Sequence, residues 1–131
     1  MVNDTISDML TRIRNAHLAK HDIVCVLNTQ TNNKISTILK KEGYIESFNV
    51  TANSKNTLEI HLKYLGNQKK PCITNLKRLS SPGLRLYSNY KDIPTVLSGR
   101  GVVIISTSSG IITDREARAN KVGGELLCSI W

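Results

Sequence analysis

The sequence is poor in aromatic residues and in long apolar runs, and each shortage excludes a class of protein. Only six of its 131 residues are Phe, Trp or Tyr, whereas proteins that bind single-stranded nucleic acid usually present several rings on which bases stack. The longest apolar run, residues 101–105, is far shorter than the roughly 20 residues of a membrane-spanning helix. We therefore expect neither a stacking platform for single strands nor a membrane protein.

The sequence also lacks the motifs of catalysis. Its three cysteines are widely spaced and form no CxxC pair or His–Cys ligand pattern, which favours buried, reduced thiols in a reducing compartment. No two carboxylates are spaced for acid–base work, and neither a G-x-S-x-G elbow nor a nucleotide phosphate loop occurs. We therefore predict no enzyme, no metal and no cofactor. A small-molecule-binding enzyme domain is the alternative.

A moderate length and an excess of positive charge are what the sequence does have. A chain of 14.6 kDa can bury about two-thirds of its surface, which is enough for a core without disulfides. The formal net charge is +8, of which the first 66 residues carry +2. Seven basic residues between Lys69 and Arg100 face only Asp92. Such clustering predicts a phosphate-rich partner, although a solvated face that raises solubility explains the charge equally well.

Hydrophobic periodicity predicts an α+β fold of two small modules. In the first, apolar residues at helical spacing predict a helix from Thr5, where Asp8 completes a capping-box pattern, and a second helix over residues 31–42. Strands are predicted over residues 22–27, 45–50 and 58–64, the last two joined as a hairpin through residues 51–56. The predicted order is helix-strand-helix-strand-strand. The first residues show no signal or transit pattern, so we expect the protein to act where it is made.

The second module is predicted to be mostly β with short helices. Residues 66–70, which precede Pro71, are the best linker and give predicted domains 1–66 and 67–131. Strands are predicted over residues 72–79, 84–87, 102–105 and 125–131. Short helices are predicted from Asp92, with Pro94 in the first turn, and from Thr113, with Glu116 completing a second capping box.

The most informative segment is a run of hydroxyl residues after the buried strand over residues 102–105. Ser106, Thr107, Ser108 and Ser109 are followed by Gly110, which permits a tight turn. Hydroxyl groups both donate and accept hydrogen bonds, which suits 2′-OH groups, phosphates and the shallow minor groove of RNA. An ordinary polar hairpin turn is the alternative interpretation.

Tyr87, beside Arg85, is the ring that we would place at an RNA surface, and a tyrosine packed in a hairpin is the alternative. Basic charge, many hydroxyl groups and few rings together favour folded RNA, which is recognised by shape and sugar contacts. Composition therefore points to an RNA-binding protein without a catalytic role.

Several motifs occur in a fixed order along the chain. They are found at residues 8–16, 39–45, 81–87 (Ser-Pro-Gly-Leu-Arg-Leu-Tyr), 106–110 (Ser-Thr-Ser-Ser-Gly), 113–118 (Thr-Asp-Arg-Glu-Ala-Arg) and 123–128 (Gly-Gly-Glu-Leu-Leu-Cys). Together they resemble the bacterial and organellar form of small-subunit ribosomal protein eight, nearly from end to end. The closing Cys-Ser-Ile-Trp is similar to plastid or cyanobacterial members.

The resemblance implies a structural constituent of the small ribosomal subunit with two α+β domains. It implies direct binding to the central domain of small-subunit rRNA, which promotes folding and assembly for translation. The implied partners are this rRNA and neighbouring small-subunit ribosomal proteins, with no membrane and no small-molecule substrate. The implied location is the ribosome in the plastid (chloroplast) stroma, with the bacterial cytoplasm as alternative. A free mRNA-binding translational repressor would use the same surface and stays open.

The resemblance also implies roles for individual residues. The hydroxyl loop fits against a helical RNA core, Glu125 helps to position the loop, and the amino-terminal domain adds further contacts. Because the family often has a basic residue where Ser109 stands, we expect this loop to act through hydroxyl groups rather than charge. The residues predicted to bind RNA or support its binding are Ser106, Thr107, Ser108, Ser109, Gly110, Tyr87, Arg85, Glu125, Lys34, Arg14 and Asn15.

Overall fold

The computed structural model describes residues 4–51 and 54–131, and the chain forms two compact units, Met1–Thr74 and Asn75–Trp131. The predicted domain boundary after residue 66 stays a prediction, and the units divide further along the chain. The reason is that the predicted linker folds back on itself: strands β4 (Tyr64–Leu65) and β5 (Lys70–Pro71) pair with each other. Each unit consequently carries a formal net charge of +4.

The amino-terminal unit packs two helices on a three-stranded antiparallel sheet, whose middle strand is the third along the chain. Met9, Ile13, Ile35 and Leu39 are fully buried because their helical spacing places them on one face of each helix. The predicted order of elements is confirmed, while residues 52 and 53 of the predicted hairpin connection lie outside the described residues. The bounds are α1 (Thr5–Leu18), β1 (Ile23–Leu27), α2 (Gln30–Lys41), β2 (Ile45–Thr51) and β3 (Ser54–Leu62).

The first helix begins differently from the prediction. Asp4, not Thr5, is its N-cap, and an Asp4 carboxylate oxygen accepts from the Ser7 backbone N–H at 3.2 Å. The carboxylate of Asp8 instead accepts from the guanidinium of Arg12 one turn later, at 2.9 Å. The capping box predicted at Thr5 is therefore wrong, because a better acceptor lies one residue earlier.

The carboxy-terminal unit is built on an antiparallel sheet in the order β6 (Leu76–Arg78), β10 (Gly124–Ile130), β8 (Val102–Thr107) and β9 (Gly110–Thr113), with β7 (Tyr87–Ser88) also paired to β10. One face of β8 packs on a core that includes Ile93, Ala117 and Leu126. Both faces of β8 are buried, which explains its unbroken apolar sequence. The helices of this unit are a 3₁₀ helix (Leu97–Gly99) and α3 (Asp114–Asn120).

Several predictions for this unit need correction. The two strands predicted over residues 72–79 and 84–87 are reduced to β6 and β7, and β9 was not predicted. The short helix predicted from Asp92 to Gly99 is reduced to the 3₁₀ helix Leu97–Gly99: its end is confirmed and its start is wrong. At the predicted start, the Asn89 side chain accepts from the backbone N–H groups of Lys91 and Asp92, each at 3.0 Å, and closes a turn instead. The N-cap at Thr113 is confirmed, since its hydroxyl accepts from the Glu116 backbone N–H at 3.2 Å. No helix among the described residues is long and apolar enough to cross a membrane.

Candidate nucleic-acid interface

The hydroxyl run ends β8, and its last two residues, Ser108 and Ser109, form the turn between β8 and β9. Thr107 pairs with Gly110 across the hairpin, and the Thr107 hydroxyl both donates to the Gly110 carbonyl at 2.8 Å and accepts from the Ser109 backbone N–H at 3.1 Å. The left-handed residue is Gly110, at φ +108°, where any L side chain would be strained. Thr107 therefore fixes the shape of the turn from inside.

The two serines at the tip of this turn are exposed to solvent. In the part of the chain that the structure describes, the side-chain hydroxyls of Ser108 and Ser109 make no hydrogen bond. Ser106, on β8 before the turn, is half-buried. The turn thus presents unpaired donors and acceptors on a backbone that is already ordered, which reduces the entropy lost on binding.

Three predicted site residues are neighbours across the sheet. Glu125 on β10 lies opposite Tyr87 on one side and Ser106 on the other. Because directly opposed residues of antiparallel strands project from the same face, these three side chains share one face beside the hydroxyl turn. The side chain of Tyr87 points away from the core, since this residue is 71% exposed. The alternative of a packed hairpin tyrosine is therefore wrong.

Two glycines where β10 begins allow the backbone to pass very close to β7 and β8, because they have no side chain. A Cβ on Gly124 would lie 2.1 Å from the Ser106 carbonyl oxygen, and one on Gly123 would lie 2.3 Å from the Ser88 carbonyl oxygen. These residues were predicted only to precede the last strand. The signal was the Gly-Gly pair itself, which often marks close backbone approach.

Arg85 does not stand alone as a cation. One guanidinium nitrogen donates to both carboxylate oxygens of Glu125, each at 3.2 Å, and the Glu125 side chain is only 13% exposed. Glu125 therefore orients Arg85 beside Tyr87 and offsets its charge. The pair gives this face defined geometry without a strong positive potential.

The predicted residues of the amino-terminal domain lie in the other unit. Lys34 is exposed on α2, and Arg14 and Asn15 are exposed on α1. The structure brings together the other eight predicted residues within the carboxy-terminal unit. The candidate site, hereafter the hydroxyl-turn site, consists of Ser106, Thr107, Ser108, Ser109, Gly110, Tyr87, Arg85 and Glu125.

The basic segment from Lys69 to Arg100 is shared between the two units. Lys69 and Lys70 belong to the amino-terminal unit, where the ammonium group of Lys69 lies 2.9 Å from a carboxylate oxygen of Asp22. The guanidinium of Arg78 donates to the Leu127 carbonyl at 2.5 Å, within the carboxy-terminal unit. The basic segment is therefore divided between the two units, and two of its cations already have partners within their own unit.

The cysteines depart from the expectation of three buried thiols. Cys128 is fully buried, and this burial raises the pKa of its thiol to about 12. Cys72 is partly buried, while Cys25 is exposed because it lies on the outward side of β1 between Val24 and Val26, which face the helices. Among the described residues, no three His, Cys, Asp or Glu side chains are grouped to hold a metal ion.

A small basic α+β chain with an exposed hydroxyl turn and an exposed tyrosine on one sheet has the features of a structural RNA-binding protein. The family model described as ribosomal protein S8 matches residues 4–131, and the chain belongs to this family. It is 79% identical over 131 residues to small ribosomal subunit protein uS8c of Tupiella akineta. It is 56% identical over 131 residues to the protein of that name from Oltmannsiellopsis viridis, and 55% over 133 residues to that from Mesostigma viride. Each match covers all of both chains.

Family membership confirms several predictions. The protein is a structural, non-enzymatic component of the small ribosomal subunit, whose partners are rRNA and other ribosomal proteins. The relatives carry the name of the chloroplast form, which confirms the prediction of a plastid-type member. The roles of the individual site residues stay predictions.

Proposed function

We propose that this protein acts in the small subunit of the plastid ribosome, where its carboxy-terminal unit binds directly to the central domain of the rRNA and promotes its folding. The observation that carries the proposal is the rigid turn whose exposed serines, Ser108 and Ser109, have no partner for their hydroxyls in the described structure. Unpaired hydroxyls on an ordered backbone match the 2′-OH groups and base edges of an RNA minor groove.

Charge and hydroxyl groups have separate tasks in this proposal. The net charge of +8 attracts the phosphate backbone and accelerates association without regard to sequence. The hydroxyl turn itself carries no charge, and the Arg85–Glu125 pair beside it is close to neutral. Selectivity for one RNA shape therefore comes from the turn, with Tyr87 as the ring that contacts the same RNA.

The test is direct binding to an RNA fragment of the central domain, with an equally long fragment of another rRNA domain as competitor. Ser108→Ala leaves RNA polar groups unpaired, so it should weaken binding by roughly 1 kcal/mol, about fivefold, or more. Thr95→Ala is the matched control, because it removes an exposed hydroxyl of the same unit outside the turn. Equal binding to both fragments would reject the proposed specificity.

Sedimentation tests the assembled state. The protein should migrate with small subunits through a high-salt wash, as expected of a constituent rather than a transient ligand. Recovery on messenger RNA outside ribosomes, without co-migration, would favour the translational repressor instead.

A further inference from the structure

Ser80 lies at the base of the loop that connects β6 to β7, and its side chain is fully buried, at 0% exposure. Its hydroxyl accepts from the Leu86 backbone N–H at 2.9 Å and donates to the Leu86 carbonyl at 3.3 Å. A single hydroxyl thus satisfies both polar groups of Leu86 and closes a loop of residues 80–86. A buried hydroxyl is tolerated in a core only when it is paired in this way.

The same two residues are also bonded to β10. The Leu86 carbonyl accepts from the Leu126 backbone N–H at 2.9 Å, and the Ser80 backbone N–H donates to the Leu126 carbonyl at 3.1 Å. Leu126 is the neighbour of Glu125, which faces Tyr87 and binds Arg85. The loop is thus attached to β10 at Ser80 and at Leu86, next to Glu125, and the Ser80 hydroxyl joins these two attachment points to each other.

The tip of the loop is held independently. Ser81 and Leu84 exchange two backbone hydrogen bonds, at 2.9 and 3.1 Å, around Pro82 and Gly83. Loss of the Ser80 hydroxyl would leave this tip turn intact. What would loosen is the base of the loop, where Leu86 joins the sheet and the chain enters β7.

We infer that Ser80 is a positioning residue for RNA binding, which acts by fixing Leu86 and thereby the placement of Arg85 and Tyr87. The inference rests on the proposed function. Ser80 itself is buried and touches no RNA. Without the Ser80 hydroxyl, the hydrogen bond from the Leu126 N–H would be the only one that holds Leu86 to the sheet among the described residues. Because Arg85 and Tyr87 directly flank Leu86, both side chains would then have more orientations, and ordering them would weaken binding.

The first measurement is RNA affinity. Ser80→Ala should bind the central-domain fragment about fivefold more weakly or worse, because both hydrogen bonds to Leu86 are lost. Ser36→Ala is the matched control: Ser36 is equally buried, in the other unit, and its hydroxyl has no partner among the described residues. This control should change affinity by less than twofold.

A double-mutant cycle separates positioning from a general structural role. In a Tyr87→Ala, Arg85→Ala background, the added Ser80→Ala substitution should weaken binding by less than twofold, because the residues that it positions are absent. The same fivefold loss in that background would overturn the inference, since Ser80 would then act through something else.

Amide hydrogen exchange supplies a readout that needs no RNA and, for the unaltered protein, no variant. In the unaltered protein the Leu86 and Leu126 amides should exchange slowly, and in Ser80→Ala both should exchange faster while the Ile105 amide does not. Rapid exchange at Leu86 in the unaltered protein would overturn the inference even if the variant fails to fold. Failure of the unaltered protein to bind the fragment would reject the proposed function and this inference with it, whereas equal binding by Ser80→Ala would overturn the inference alone.

Discussion

Replacing Gly124 by alanine tests whether close approach of two strands builds the hydroxyl-turn site. Gly124 begins β10 where this strand passes β8, and a Cβ there would lie 2.1 Å from the Ser106 carbonyl oxygen and 3.1 Å from the Thr107 Cα. Contacts of Cβ atoms shorter than 3.0 Å are essentially never observed. The two strands must therefore separate by about 1 Å to accept the methyl group.

The magnitude follows from which atoms must move. Both neighbours are backbone atoms of the paired strand β8, so no side chain can rotate away to relieve the clash. Overpacking of a core typically costs 1–3 kcal/mol, and a rigid neighbour places Gly124→Ala near the upper limit, about 3 kcal/mol of unfolding free energy. Separation of β8 from β10 would move Ser106 away from Glu125. Because both residues belong to the hydroxyl-turn site, RNA affinity should also fall.

Urea denaturation measures the loss of unfolding free energy, and an RNA-binding titration measures the loss of affinity. Gly83→Ala is the matched control: a Cβ there meets nothing within 4 Å and its φ is not positive, so its stability should stay within about 1 kcal/mol of the unaltered protein. If Gly124→Ala were as stable as Gly83→Ala, the strand spacing would not limit the fold. Such a result would refute the requirement for glycine at position 124.

Three further predictions concern stability and reactivity. Burial lowers the pKa of His17 below 6.5, so folding favours its neutral form. The free energy of unfolding should therefore not depend on this group above pH 6.5, and it should fall as the pH drops below 6.5. Urea titrations of His17→Phe should lack this dependence. A thiol reagent at pH 8 should label exposed Cys25 at once and Cys128, whose pKa is raised to about 12, only upon unfolding; fast labelling of Cys128 in the folded protein, identified by peptide mapping, would contradict this. Ile105→Ala should cost about 2–5 kcal/mol in thermal or urea unfolding, because Ile105 is completely buried, and a loss below 1 kcal/mol would contradict the assigned core.

Local signals in the sequence were sufficient for most of the fold. The buried face of α1 follows directly from the helical spacing of Met9 and Ile13, and β3 from strict alternation, because each pattern depends on neighbours along the chain. β9 was not predicted because its four residues are too few to establish a period, and it exists by pairing with β8. The first N-cap was misplaced by one residue, which is the usual scale of error at helix ends.

The sequence predicted which residues form the hydroxyl-turn site, but it did not predict all the contacts between them. The hydroxyl turn and Tyr87 could be chosen from composition and resemblance, whereas the bond between Arg85 and Glu125 joins residues 40 positions apart. Ser80 could not be distinguished from Ser81 in the sequence, because only the path of β10 determines which hydroxyl faces inward. Contacts of this kind depend on tertiary structure and leave no local pattern.

The central claim is that charge attracts the RNA while the uncharged turn selects it. The most direct test is the affinity of the unaltered protein and of Ser108→Ala for the central-domain fragment, measured over a range of salt concentrations. For roughly six phosphate contacts, both plots of log affinity against log salt should fall with a slope of about −4 to −5, and the Ser108→Ala line should lie about fivefold lower throughout. Coincident lines would contradict the role of the turn, and a slope near zero would contradict the role of charge.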